Sequence, residues 1–300
     1  MKQMIWRRLL PLGLLLGLLI CGMLGCKNSK DTEVVGNCGG DPILWEEYRY
    51  LVARLGDGLS KEEEDQHLVA LLVEDRAILA AAKALAGVGV DDQSVQDAVD
   101  AGVEAAIETY GGKSAYKDAL KEQSLTEHHF RRMLAIAELT RLAQEKLFSG
   151  TELESDASFA EWLKNAGNYA RAEQFVFTTR ADADAFLAEA AAGAEAGDSC
   201  KAHGGTAQKA GWFFRGLGGE AVDAAVFALP ADGATLSPVV EQANGSFVVY
   251  RRVAVSETER EDMAAMQGLA VRDRLRDLAW EQLLASYSAG LEVQLELTGD

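Results

Sequence analysis

Apolar residues recur at helical spacing through the first half of the chain. From Leu44 they follow every three or four positions as far as Leu55, which predicts an amphipathic helix. Ser60 followed by Glu63 has the spacing of a capping box, so we expect a second helix to begin there. Gly87 is the first glycine after that apolar series and predicts its end.

Three further helices are predicted before residue 150. Asp92 can begin the third, and a double glycine that starts at Gly111 ends it. A short helix is expected at residues 114–122. Thr126 can cap the next helix, which continues through regularly spaced apolar residues to about Phe148. The first half is therefore expected to be almost entirely helical.

The pattern changes in the second half. A polar hinge and a short linking helix at 158–165 lead into a strand-like run at 170–177. An alanine-rich, helical segment follows the strand. Short apolar runs then occur at 211–216, 224–229, 238–240 and 245–250. Strands and helices are therefore expected to alternate in this part.

A long helix and two short strands are predicted near the ends of the chain. Ser256 can begin a helix that continues to about Ser288. Residues 291–297 alternate between apolar and polar side chains, which is typical of a strand. Val34–Cys38 is predicted as a second short strand, and a turn at Gly39 to Pro42 follows it.

The first residues have the pattern of a targeting segment. Lys2, Arg7 and Arg8 precede an apolar run at 9–20 that is too short to predict a membrane span. Residues 23–26 (MLGC) resemble a bacterial lipobox, and this resemblance implies cleavage before Cys26 and acylation of its thiol. An ordinary secretory signal and an uncleaved anchor are the alternatives, and all three imply export.

The chain is strongly acidic. Its formal net charge is −18, and cleavage before Cys26 would remove three basic residues and no acidic ones, giving −21. This acidity argues against a nucleic-acid partner and against electrostatic attraction to anionic lipid. The low proline content and abundant alanine favour a helix-rich body.

Cysteines and histidines give no support to a metal site. The mature chain keeps Cys38 and Cys200, and export would permit a disulfide between them, which the sequence does not decide. There is no CxxC motif and no paired-histidine spacing, so no metal is expected. The four histidines are scattered and expected to be solvated: His67, His128, His129 and His203.

The order and spacing of the runs between residues 171 and 253 resemble a parvulin-type peptidyl-prolyl isomerase domain. The similarity includes the strand at 170–177, the end of the segment 207–213 (AQKAGWF) and the glycine that precedes the last strand. The resemblance implies a four-stranded antiparallel sheet with flanking helices. It places the family's two histidines on Gln174 and Phe247, so both imidazoles are absent.

The same resemblance supplies the candidate site. It places the family's cysteine or aspartate near Cys200, so Gln174 and Cys200 are the candidate catalytic residues. An apolar slot for a proline ring is expected from Trp212, Phe213, Leu217, Phe227 and Phe247. Ordinary core packing is the alternative for the aromatic residues, and a structural buried thiol is the alternative for Cys200. No cofactor is expected, because rotation about a peptide bond needs no covalent step.

Residues 110–134, which begin YGG, resemble the N-terminal module of SurA- and PrsA-type extracytoplasmic foldases, and residues 35–48 are similar to that family's opening segment. The resemblance implies an α+β protein in which both chain ends build a mostly helical chaperone module, with the strands at the two ends paired and the parvulin-like domain inserted. The expected divisions are a signal peptide at 1–26, a tether at 27–33, the helical module at 34–150, the parvulin-like domain at 166–254 and a returning helix and strand at 255–300.

Three functional interpretations follow. The first is an exported, lipid-anchored foldase that binds unfolded or proline-containing polypeptides and whose isomerase activity is weak or lost. The second is an active peptidyl-prolyl isomerase with a variant site. The third is an assembly lipoprotein with one dedicated partner. The sequence leaves the client, the choice between inner and outer membrane and the oligomeric state open.

Overall fold

The structure is a computed structural model that describes residues 33–55 and 60–295. The predicted signal peptide, the acylation site at Cys26 and most of the tether lie outside the described residues, as does the end of the predicted C-terminal strand. No helix in the described ranges is both long enough and apolar enough to cross a membrane.

The described helices and strands follow the predicted order. The strands are β1 (Val34–Cys38), β2 (Asp41–Leu44), β3 (Tyr169–Phe177), β4 (Thr206–Phe214), β5 (Val240–Glu241), β6 (Phe247–Val253) and β7 (Val293–Leu295). The helices are α1 (Trp45–Leu55), α2 (Lys61–Ala86), α3 (Gln93–Thr109), α4 (Lys113–Glu122), α5 (Glu127–Phe148), α6 (Asp156–Trp162), α7 (Arg180–Ala191), α8 (Ala196–Ala202), α9 (Glu220–Phe227) and α10 (Glu257–Ser288).

Helix caps fix most of the helix boundaries. Ser60, Thr126 and Ser256 each accept a hydrogen bond from the backbone N–H three residues on, as an N-cap residue should. Gly87 ends α2 in the left-handed conformation, which costs glycine little because it has no Cβ. The short linking helix α6 begins two residues earlier than predicted, because Ser155 caps it.

A small antiparallel sheet joins the two ends of the described chain. Its strand order is β2-β1-β7, and Gly36 of β1 lies opposite Leu295 of β7. A Cβ at Gly36 would lie 2.2 Å from the backbone oxygen of Gln294, so this close pairing requires glycine. The predicted turn is shorter than expected: Gly39 and Gly40 form it, and Asp41 and Pro42 already belong to β2.

The C-terminal half of α10 belongs to the helical core. Trp280 packs in a buried cluster with residues of α2, α3 and α5, among them Ile78, Val99 and Leu139. This arrangement confirms that residues from both ends of the chain build the helical part of the α+β fold.

Two histidines depart from their prediction: His203 is partly buried beside Glu189, and His129 is buried. His129 is 5% exposed rather than solvated, because it lies in the first turn of α5 and its ring centroid lies 5.9 Å from that of Tyr50. Its backbone N–H donates to the Thr126 hydroxyl. The side chain of His128, the preceding residue of α5, is exposed, as expected.

The second sheet has four antiparallel strands, as the resemblance predicted, and their order is β4-β3-β6-β5. Helix α9 covers one face, where Val226 packs on Ala172 and Val248. Helices α7 and α8 cover the other, where Phe186 packs on Phe175. The sheet is therefore the middle layer of three.

The N-terminal half of α10 is attached to this sheet. Met263 and Val271 of α10 form a buried cluster with Phe159 of α6 and with Tyr169 and Phe214, which lie at one end of β3 and β4. We call this cluster the α10 joint. Arg171 of β3 also forms an ion pair with Glu259 of α10, and Arg272 of α10 forms one with Asp156 of α6.

Candidate peptide-binding site

The face of the four-stranded sheet that α9 covers, here called the α9 face, carries the first part of the candidate site. Because side chains alternate along a strand, Ala170 and Ala172 of β3 point to the same side. They lie in one buried cluster with Val248 and Tyr250 of β6 and with Val226 of α9. The small alanines of β3 leave room that larger side chains of the neighbouring elements fill.

A row of uncharged polar residues crosses this sheet. Gln174 of β3 lies opposite Gln208 of β4 and opposite Tyr250 of β6. Directly opposite residues place their side chains on the same side of an antiparallel pair, so Gln174 shares the face of Tyr250. The Gln242 amide donates a hydrogen bond of 3.1 Å to the Tyr250 hydroxyl. The Gln242 amide and the Tyr250 phenol are thus in direct contact on this face.

Tyr250 fills the interior of the α9 face. Its residue is 2% exposed, and its ring meets Phe213 edge to face with the centroids 5.5 Å apart. Burial raises the pKa of Tyr250, and the hydrogen bond from Gln242 offsets part of that rise. The side chain is therefore a neutral hydroxyl at physiological pH.

Phe227, predicted to grip a proline ring, is covered by a cation. It is partly buried at the end of α9, and the Arg215 guanidinium carbon lies 4.4 Å from its ring centroid. The Arg215 Nε donates to the backbone oxygen of Gly167 at 3.0 Å, which helps to fix the guanidinium over the ring. The apolar surface of Phe227 is thus shared between the α9 face and an arginine of its own chain.

The opposite face of the sheet holds two other predicted residues. Cys200 is fully buried in a cluster with Phe175, Phe186 and Phe247. A Cβ at Gly205 would lie 2.8 Å from the Cys200 sulfur, so the backbone passes close to the thiol. Burial raises the pKa of Cys200, which keeps it a protonated thiol rather than a nucleophilic thiolate.

The remaining two predicted residues belong to the α10 joint. Trp212 and Leu217 are partly buried against its core, and the Trp212 ring lies edge-on to Tyr169 with the centroids 6.1 Å apart. A Cβ at Gly216 would lie 3.2 Å from a methyl group of Leu275 on α10, so the turn after β4 rests closely on that helix. These side chains attach the sheet to α10.

The structure therefore divides the seven predicted residues among three places. They lie on the α9 face (Gln174, Phe213, Phe227), on the opposite face (Cys200, Phe247) and at the α10 joint (Trp212, Leu217). Strand alternation is the reason, because it sends consecutive residues such as Trp212 and Phe213 to opposite sides. The two candidate catalytic residues, Gln174 and Cys200, are separated by the sheet.

Sequence reasoning missed Tyr250 and Gln242. The alternation of β6 could have placed Tyr250 with Val248 on the same face. Nothing in the sequence indicated that the side chain of Gln242, just after β5, would donate a hydrogen bond to the Tyr250 hydroxyl.

A small cleft lies in the helical part of the fold. A cleft of about 60 Å³ is lined by Leu44, Glu46, Glu47, Tyr50, His128 and Arg132. Glu47 is 7% exposed and accepts hydrogen bonds from Arg132 at 2.7 Å and from Arg76 at 2.9 Å. Its carboxylate is thus neutralised by two guanidinium groups, which link α2 and α5 to α1.

Tyr50 lies between two cations in the same region. The guanidinium carbons of Arg54 and Arg132 each lie 5.4 Å from its ring centroid. Burial raises the pKa of Tyr50 to about 12, with a further contribution from Asp75. Asp75 is 1% exposed and accepts a 3.0 Å hydrogen bond from Arg54, and burial raises its pKa as well. Both carboxylates of this cluster are paired with guanidinium groups, so we interpret the cluster as structural.

Metal and disulfide chemistry have little basis in the described residues. In residues 33–55 and 60–295 no three His, Cys, Asp or Glu side chains are grouped so as to hold a metal ion. Cys38 and Cys200 are both free and buried, and they belong to different clusters, one under β1 and one under β3 and β6.

Comparison with solved structures finds foldases and chaperones. The chain is similar to a protein described as one of two SurA-like chaperones of Campylobacter jejuni, with 13% identity over 89% of this chain and 99% of that one and a TM-score of 0.35. It is similar to the foldase PrsA from Lactococcus lactis, with 19% identity over 89% and 96% of the chains and a TM-score of 0.30. For PrsA from Bacillus subtilis the identity is 16%, the coverage 89% and 96%, and the TM-score 0.28.

These likenesses agree with the predicted resemblance to SurA- and PrsA-type proteins. No family model matches the chain, and neither does any curated protein. At these identities and TM-scores the likeness is one of fold alone.

Proposed function

We propose that the protein is an exported foldase that holds non-native polypeptides, and that its parvulin-like domain has weak or no isomerase activity. One observation carries the second half of this proposal. The sheet separates Gln174 from Cys200, so the two candidate catalytic groups do not act on the same bond.

The physical requirement of the reaction makes that separation important. The barrier to rotation about a peptide bond is about 18–20 kcal/mol. A catalyst lowers it only by binding the twisted amide more strongly than the planar one. That needs an open slot for the proline ring beside polar groups for the amide. Here Tyr250 and Phe213 fill the α9 face, and Arg215 covers Phe227.

The holding role is supported by the way the two parts are attached. We propose a helical module from residues 34–150 and 255–300 and a parvulin-like domain from 166–254. The α10 joint fixes the sheet to a helix that also belongs to the helical core, so the two parts present one connected surface. The net charge, −18 for the full chain and −21 after cleavage before Cys26, keeps a complex with an aggregation-prone chain soluble.

The proposed location is the extracytoplasmic side of a membrane, with the chain anchored by acylation at Cys26. The support is the basic, then apolar pattern that precedes residues 23–26. A chain with two or more acyl groups would be stably held at the membrane, whereas a single acyl group would give only marginal binding.

The holding function is tested with several unrelated unfolded clients. Light scattering after dilution from denaturant should show less aggregation in the presence of stoichiometric protein, and the effect should not depend on one client sequence. Suppression for one client alone would favour the third interpretation, a dedicated assembly partner. No suppression for any client would contradict the proposed function.

An active isomerase is the second candidate, because Gln174 of β3 lies directly opposite Tyr250 of β6 and shares the α9 face with it. A coupled assay with a proline peptide separates the two. The foldase proposal expects a rate at the uncatalysed background for the native chain. Turnover well above background that falls with Phe227→Ala and with Gln174→Ala, in variants that keep the native melting temperature, would establish the isomerase instead.

A further inference from the structure

The clearest uncovered apolar surface lies on α10. Among the described residues four large apolar side chains are strongly exposed, and two of them, Met266 at 76% and Leu269 at 59%, are one turn apart on this helix. Ala265 and Ala270 beside them are exposed as well. We call these four residues the α10 ridge. Adjacent exposed apolar side chains of this kind mark interaction surfaces more often than isolated ones do.

The ridge continues a surface that α10 already uses for packing. Leu284 follows Met266 by five full turns at 3.6 residues per turn, and Tyr287 follows Leu269 by the same interval. Both Leu284 and Tyr287 pack against the helical core around Trp280. The ridge is therefore the same side of α10, extended beyond the point where the helical core ends.

The other side of this half of α10 is already occupied. Met263 and Val271 are buried in the α10 joint, 1% and 7% exposed. Neither attachment of the helix covers the ridge in the described part of the chain. An apolar stripe that is buried along one half of a helix and bare along the other is suited to a partner that is not always present.

Acidic residues stand at both ends of the ridge. Asp262 lies one turn before Met266, and Asp273 lies one turn after Leu269. Asp262 is exposed, whereas Asp273 is partly exposed and forms an ion pair with Arg272 at 3.0 Å, so Asp262 carries the larger uncompensated charge. At 1.5 Å per residue the two positions are about 16 Å apart along the helix axis. An extended chain covers that distance in about five residues.

We propose that the α10 ridge binds an extended polypeptide segment whose apolar residues lie between two basic residues about five positions apart. This inference rests on the proposed holding function and names its client class and its surface. Met266 contributes an unbranched, polarizable side chain that adapts to different apolar partners, as a holder of varied sequences requires. The carboxylates at 262 and 273 select basic over acidic flanks.

Two peptides with the same apolar centre test the inference. One carries lysines five positions apart, the other glutamates at the same positions, and binding to the purified protein is followed by fluorescence anisotropy. We expect the lysine peptide to bind at least roughly fivefold more tightly, because attraction to the carboxylates, mainly to that of Asp262, replaces repulsion. The difference should shrink when salt is raised to about 1 M, where screening is strong.

Variants identify the surface. The double variant Met266→Glu/Leu269→Glu should weaken the lysine peptide on the order of tenfold, since it removes the apolar contact area. Both side chains are exposed, so the fold should survive, which circular dichroism checks. The matched control is Tyr110→Glu, which alters an exposed apolar residue after α3 and should leave binding unchanged. Asp262→Asn should reduce the preference for lysine and keep most of the affinity.

The outcomes separate this inference from the proposed function. If the native chain suppresses aggregation and the double variant does so equally well and binds the lysine peptide equally well, the ridge is not the client surface, while the holding function stands. If the native chain suppresses nothing, the holding function fails. Sedimentation that shows a dimer of the native chain, dissolved by the double variant, with no peptide binding, would make the ridge a contact between copies and overturn the inference.

Discussion

Replacing Tyr250 by Phe tests how the α9 face is held together. The substitution removes one oxygen and leaves the ring, so the edge-to-face contact with Phe213 remains. The strand also stays fixed, because the backbone N–H of Tyr250 donates to the Ser237 hydroxyl and its carbonyl accepts from the Ser237 N–H, each at 2.9 Å. What is lost is the 3.1 Å hydrogen bond from Gln242.

The expected loss of unfolding free energy is about 1 kcal/mol. A neutral intramolecular hydrogen bond contributes about 0.5–1.5 kcal/mol net, since folding exchanges it for bonds with water. Gln242 is only partly buried, so its amide can bind water after the change and its desolvation is largely recovered. No cavity larger than one oxygen atom is left, so the cavity contribution is small.

Urea unfolding followed by tryptophan fluorescence measures this value. The slope of unfolding free energy against urea concentration should stay constant, while the urea concentration at the unfolding midpoint falls. A double-mutant cycle with Gln242→Ala should give a coupling energy close to the loss from Tyr250→Phe alone. Tyr110→Phe, at an exposed position, is the control and should change stability by less than about 0.5 kcal/mol. A coupling energy near zero would refute the hydrogen-bond reasoning, and a loss well above about 3 kcal/mol would show that the ring had moved.

Three further predictions concern the rest of the fold. Ser256→Ala removes the N-cap of α10 and should cost about 1 kcal/mol in urea unfolding, whereas Ser288→Ala at the other end should be nearly neutral. Gly36→Ala should destabilise by roughly 1–3 kcal/mol, because the new Cβ would meet the backbone oxygen of Gln294; native stability would contradict the β1–β7 pairing. Burial raises the pKa of Tyr50 from 10.0 to about 12, so the unfolded chain loses this proton at a lower pH than the folded chain does. The free energy of unfolding should therefore fall, on the order of 2 kcal/mol, as the pH rises from about 10 to about 12. An equally steep fall in Tyr50→Phe would exclude Tyr50 as the cause.

Two of the predicted peptide-binding residues pack in the α10 joint instead of lining an open slot. Trp212 and Leu217 were expected to line a proline slot, and in the structure they pack against a helix of the returning chain. Apolar residues at the end of a sheet can serve a ligand or a neighbouring element equally well. Because Trp212 and Leu217 pack against α10, little of their apolar surface is left for a proline ring.

Local sequence determined much of the secondary structure. The capping boxes at Ser60 and Ser256 and the left-handed Gly87 act through contacts within a few residues, so their patterns were sufficient to locate helix ends. His129 could not be placed in this way. Its burial depends on Tyr50, a residue of another helix that lies far away in the sequence.

The candidate site depended still more on tertiary structure. The resemblance to a parvulin domain predicted that Gln174 and Cys200 would act together, and strand register with helix packing put them on opposite faces. The partner of Tyr250 is Gln242, which follows a two-residue strand that leaves almost no periodic signal in the sequence.

The sequence by itself determined the alternation of helices and strands, the caps and the acidity, because these depend on residue types and on spacings of a few positions. Tertiary structure alone decided which face each aromatic side chain meets and which side of α10 is packed along one half and bare along the other. It also decided the register of the predicted pairing between the two end strands, in which Gly36 lies opposite Leu295. The physical reason is that burial and pairing between distant segments are set by the packing of whole layers, where a side chain's surroundings come from residues that the local pattern does not contain.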